Sequence, residues 1–248
     1  MRVPPLILAV VASFALVGCT RAAEDAGFGA KVRSYLLEHP EVIQEAVDKL
    51  QEKRQAEAAA QYQNSLNKGK AALPRLREAL EHDSRDFVAN PGGRITLTEF
   101  FDYRCAHCVN AAPTVLEIIK NNPDVRFVFK EMPIFGAVSE HAARSAIAVK
   151  AAGGDYVGYY RTLMSARGMN DDIVDQFARS HGVDPAKAEA PQVRSAADAQ
   201  LSDVRKLAQS LYIDGTPAFI VGDEIIPGED MDAVQAAIIK TRRALNKS

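Results

Sequence analysis

Two cysteines separated by two residues, Cys105 and Cys108, are the side chains in this sequence best placed to do chemistry, and His107 stands between them. A pair of thiols at this spacing can close into a disulfide and open again, exchanging two electrons with other thiols. The third and last cysteine, Cys19, lies near the start of the chain. Three cysteines cannot build a disulfide framework in the body of the protein. Structural zinc needs four ligands, and no second Cys/Cys or Cys/His pair occurs at finger spacing. The Cys105/Cys108 pair is therefore redox-active or incidental.

The elements that must position the pair are legible on both sides. An apolar, β-prone run, Ile95 to Tyr103, leads into Cys105. A helical pattern follows at once, with Ala111, Ala112, Val115, Leu116, Ile118 and Ile119 at helix-like spacing. Cys105 then falls at a helix N-terminus, where free N–H groups and the helix dipole favour a thiolate. A stabilised thiolate is a good leaving group and makes the corresponding disulfide more oxidising. Cys108, one turn on, is expected to be the buried resolving thiol. A protonated His107 can support an ionised Cys105, and Arg104 adds a second positive neighbour.

The rest of the chain divides by composition. Residues 1–22 read as a signal peptide, with Arg2 ahead of an apolar run from Leu6 to Val17. Leu16-Val17-Gly18-Cys19 has the form of a lipobox, in which Cys19 becomes a lipidated N-terminus; the alternative is ordinary cleavage near Thr20-Arg21-Ala22. Residues 23–87 are rich in Ala, Glu, Gln, Lys and Arg and read as a helical arm, with a short helix up to His39 and another from Pro40. Ile43, Ala46, Val47 and Leu50 form a narrow stripe that must pack on something, either a second copy or the chain's own catalytic domain. Farther along, Leu66, Leu73, Leu76 and Leu80 continue sparsely, interrupted by Gly69 and Pro74. The turn cluster Asn90-Pro91-Gly92-Gly93 opens the domain assigned to 88–248. Its order is strand, helix, a strand at Val125 to Lys130, helices over about 138–212, strands at Ala218 to Val221 and Glu224 to Ile226, and a final helix from Met231 to Leu245. The fold class is α/β: without the helical block, a thioredoxin-like βαβ…ββα remains, so the block is an inserted helical subdomain.

Three segments, Thr98-Glu99-Phe100-Phe101-Asp102-Tyr103-Arg104-Cys105-Ala106-His107-Cys108, Phe129-Lys130-Glu131-Met132-Pro133-Ile134-Phe135-Gly136 and Gly215-Thr216-Pro217-Ala218-Phe219, resemble the DsbA family of periplasmic thiol–disulfide oxidoreductases. The arm segment Leu37-Glu38-His39-Pro40-Glu41-Val42-Ile43 is similar to the N-terminal extension of ScsC-like members associated with copper tolerance, some of them trimers that isomerise disulfides. The resemblance implies a cis peptide before Pro217, facing the cysteines, with the Thr216 backbone open to a substrate strand. It also implies a buried Glu99 that serves the proton transfers of Cys108; among the neighbouring residues, Lys130 and Arg126 are the two candidates for its charge partner. Two departures stand out: Ala106-His107 lacks the proline typical of strong oxidases in that position, and the chain has no Trp.

The expected function is disulfide formation or isomerisation in exported cysteine-containing proteins, with Cys105 as nucleophile, Cys108 as resolving thiol, no cofactor, a membrane redox partner and a homotrimer built by the arm. The alternative is a periplasmic copper-binding protein, with Cys105, Cys108 and His107 as soft donors for Cu(I). A net charge of −2 gives no reason to expect nucleic acid.

Overall fold

The computed structural model describes residues 17–247, with side chains from residue 27 onward. Residues 1–16 of the leader and the thiol of Cys19 lie outside the described part. Among the described residues no helix is long and apolar enough to cross a membrane. The chain forms two compact units, residues 1–61 and 62–248.

The described part of the first unit consists of helix α1 (Val17–Glu38) and the opening turns of α2 (Glu41–Glu81). Pro40 sits just ahead of α2, where its missing N–H costs nothing. Phe28, Val32 and Tyr35 recur at i, i+4 and i+7 on α1, and Ile43, Val47 and Leu50 do the same on α2. All six are exposed, Phe28 to 69%.

The boundary expected at 87/88 falls instead between Gln61 and Tyr62. Gly69 and Pro74 do not interrupt α2, which runs unbroken to Glu81. Gly69 is a point of close approach: a Cβ there would stand 2.3 Å from the Leu211 carbonyl oxygen and 2.9 Å from Ile225 Cδ1. Leu73 and Leu80 are fully buried in a cluster with Phe100, Met132, Leu207, Leu211 and Ile225. The sparse leucines after residue 61 are thus the inner edge of a core helix.

The sheet has five strands in the order β1 (Phe87–Ala89), β3 (Val125–Glu131), β2 (Ile95–Phe101), β4 (Ala218–Val221), β5 (Glu224–Pro227). β2 and β3 run parallel, and the remaining pairs are antiparallel. β1 was not anticipated, because three residues are too few to show alternation. Helix α3 (Ala106–Asn121) makes the crossover from β2 to β3. The insertion comprises α4 (Ala137–Ala151), α5 (Tyr156–Met164), α6 (Asp171–Ser180), α7 (Pro185–Ala188) and α8 (Pro191–Ser210), and α9 (Met231–Leu245) ends the fold.

Strand alternation sorts side chains onto two faces. Leu97, Phe101, Phe127, Phe129, Phe219 and Val221 join the larger core, with α3, α4, α5, α6 and α9. Phe100, Ala218, Ile220 and Ile225 join the smaller one, covered by α2 and α8. The element order matches the expected thioredoxin-like arrangement with a helical insertion.

Candidate active site

β2 ends at Phe101, and four residues carry the chain to the first turn of α3. Asp102 makes this corner. Its buried carboxylate accepts from the Arg104 N–H at 2.7 Å and from the N–H groups of Ile134 and Phe135 at 2.7 and 3.0 Å. Its carbonyl receives the Cys105 N–H at 3.1 Å. Arg104 reaches the same loop, donating to the Phe135 carbonyl at 2.7 Å. The strand end, the helix start and the 132–136 loop are thereby tied together through an aspartate that sequence reading passed over.

Cys105 is the N-cap of α3, in extended backbone conformation, with its side chain free of any capping bond. Its Sγ donates instead to the Thr216 carbonyl oxygen at 3.1 Å. The Thr216–Pro217 peptide is cis, as the family resemblance implied. Both cysteines are free thiols; Cys105 is 2% exposed and Cys108 is fully buried. Burial pushes the Cys108 thiol well above its usual value, and the Glu99 carboxylate beside it adds to the shift.

Glu99 is fully buried on the larger-core face, and desolvation pushes its carboxyl up to about 8. The Tyr160 hydroxyl donates to its Oε2 at 3.4 Å, and its Oε1 is buried without a hydrogen-bond partner. Neither of the two expected cations reaches it. Lys130 lies opposite Phe100 and Arg126 opposite Thr96, so the pleat sends both to the other face of the sheet. Lys130 pairs there with buried Asp86 and donates to the Ala79 carbonyl at 2.6 Å. What shares the face with Glu99 is a second buried acid, Glu131, which accepts from the Tyr103 and Tyr156 hydroxyls at 2.8 and 2.6 Å. Burial pushes Glu131 to about 8 as well. A polar residue at the end of a short strand reads as an edge position, so nothing local marks it as buried.

His107 projects into solvent with a 66% exposed side chain, and its Nδ1 lies 3.1 Å from Glu229 Oε1. The imidazole expected beside the Cys105 thiolate is thus engaged by a carboxylate from the turn after β5. Nothing in the local sequence marks Glu229. Among the described residues no three His, Cys, Asp or Glu side chains gather to hold a metal ion, which leaves the copper alternative with two thiols.

With this geometry in view, residues 96–239, more than half of the chain, match the DSBA-like thioredoxin domain. The chain belongs to that family. Residues 25–57 match the N-terminal domain of the copper resistance protein ScsC. Among curated relatives, the thiol:disulfide interchange protein DsbA of Bordetella pertussis is 29% identical over 61% of this chain and 78% of its own. A thioredoxin-like oxidoreductase from Silicibacter pomeroyi is 35% identical, with TM-score 0.61 over 67% of this chain and 98% of that structure. A linker-deletion mutant of Proteus mirabilis ScsC shares the fold at 23% identity, with TM-score 0.63 over 92% of this chain and 97% of its own. The protein is a DsbA/ScsC-like thiol–disulfide oxidoreductase.

Proposed function

We propose that the chain forms and reshuffles disulfides in exported, cysteine-containing proteins of the periplasm, with Cys105 as the attacking thiol and Cys108 as the resolving one. The observation that carries this reading is the placement of Cys105 as N-cap of α3, its Sγ against the Thr216 carbonyl and buried Cys108 one turn behind. In oxidation, a substrate thiolate attacks Cys105 Sγ and the Cys105–Cys108 bond breaks. Its electron pair stays on the Cys108 sulfur, which takes a proton from Glu99. The substrate's second thiolate then attacks its own sulfur in the mixed disulfide, and Cys105 departs as a thiolate. In isomerisation the Cys105 thiolate attacks a wrong disulfide, and Cys108 ends any stalled complex after giving its proton to Glu99. A carboxyl pushed up to about 8 is suited to both transfers. The Thr216 backbone and Pro217 border the place where a substrate strand docks.

The exposed rows on α1 and α2 support a homotrimer built by the arm, the form suited to an isomerase. The lipobox at Cys19 supports a lipid tether, and a membrane redox partner resets the pair. The roles of the two cysteines are tested by mixing a substrate of mixed disulfides with Cys108→Ala and Cys105→Ala variants. Cys108→Ala should accumulate a mixed disulfide visible on non-reducing gels, and Cys105→Ala should form none. Trapping by Cys105→Ala alone would reverse the assignment.

A further inference from the structure

We propose that Glu229 is a positioning residue that sets the redox poise of the pair by holding His107 away from Cys105. The inference rests on the reading of Cys105 and Cys108 given above and adds to it a residue that neither the family resemblance nor the motif supplies.

The geometry forms a closed circuit around the site. The Gly228 N–H donates to the Pro217 carbonyl at 2.8 Å, which fixes the turn after β5 to the cis-proline loop. The next residue is Glu229, whose own carbonyl accepts the Met231 N–H at 2.8 Å. Asp230 then caps α9 by accepting from the Ala233 N–H at 2.9 Å. With its backbone held from both sides, Glu229 extends Oε1 to His107 Nδ1 at 3.1 Å, while its Oε2 is buried and has no hydrogen-bond partner. A half-shielded carboxylate with one open oxygen is a strong local acceptor, and the imidazole is the group that answers it.

The consequence is electrostatic. An imidazolium free to approach Cys105 would support the thiolate and make the disulfide more oxidising. Paired to Glu229, the same ring has its charge offset by a carboxylate 3.1 Å from Nδ1. Cys105 is left with the helix terminus and the Thr216 carbonyl, which accepts a proton-bearing thiol rather than favouring a thiolate. The pair is therefore less oxidising than its His-containing motif implies, which suits a protein that must spend part of its cycle reduced.

The test is a reduction-potential titration of the full chain against glutathione, for wild type, Glu229→Gln, His107→Ala and the double variant. Glu229→Gln should shift the equilibrium three- to tenfold toward the dithiol, or about 15–30 mV more oxidising at 29.6 mV per tenfold. Glu229→Asp should restore most of the wild-type value. In the His107→Ala background the Glu229→Gln effect should vanish. An unchanged potential in Glu229→Gln overturns the proposal. So does a shift that persists without His107, because the carboxylate would then act on Cys105 directly. If the wild-type cysteines fail to equilibrate with glutathione at all, the reading of the pair itself falls, and this proposal with it.

Discussion

Glu99 and Glu131 reach the same face of the sheet from adjacent strands, walled in by Phe101, Tyr103, Phe129, Tyr156 and Tyr160. Among the described residues neither meets a cation, and burial pushes each carboxyl up to about 8 from the usual 4.5. In the folded protein both hold protons that the unfolded chain would already have released. The stability this gives is fully present below about pH 4.5 and is lost as pH rises toward 8. Each proton contributes a slope of about 1.4 kcal/mol per pH unit inside that window. Glu99→Gln should remove one such slope, read from urea midpoints collected between pH 5 and 8, and leave the share of Glu131 intact. The same variant should slow the step resolved by Cys108 by about 10²-fold, seen as a longer-lived mixed disulfide. A Glu99→Gln protein that resolves at the wild-type rate would assign the proton transfer to water or to another group.

Among the elements, α2 carries the clearest lesson about what the sequence could reveal. Its apolar residues after Tyr62 are spaced too widely to announce a core helix, and Gly69 and Pro74 read as breaks. The missing information was tertiary: Gly69 is small because the Leu211 carbonyl presses on it, and Leu73 and Leu80 fill the space beside Phe100. Gly69→Ala should therefore destabilise the protein by about 1–3 kcal/mol despite a better helix propensity, measured as a lower denaturant midpoint. A stabilised variant would mean that Leu211 and Ile225 yield without cost. By contrast, β2, β3, β4, β5 and α9 were readable to within a residue or two, because each is a short apolar, β-prone run or a 3.6-residue stripe bounded by turn residues. The cysteine pair and Thr216–Pro217 were legible from local motif. Asp102, Glu131 and Glu229 were not, because their partners come from distant parts of the chain.

At the scale of the whole molecule, the boundary between Gln61 and Tyr62 says where the protein can be cut. A chain beginning at Tyr62 keeps all of the smaller core, whereas one beginning at 88 loses Leu73 and Leu80 from it. Light scattering should find the mature protein oligomeric and the Tyr62 form monomeric, with the monomer able to oxidise a substrate but poor at rescuing scrambled disulfides. Equal oligomeric states would remove the arm from the mechanism. The sheet of the second unit is also an electrical partition. Along β3, Phe129, Lys130 and Glu131 point alternately to the two faces, so that the cation compensates Asp86 on one side and the second buried acid lies on the face of Glu99 on the other. Parity alone keeps them apart. A chain with Lys130 and Glu131 exchanged would keep its composition, net charge and hydropathy, yet it would bring an ammonium to the face of Glu99 and set a carboxylate against Asp86 on the other face. The redox chemistry of this protein is insulated by the odd and even numbering of a single strand.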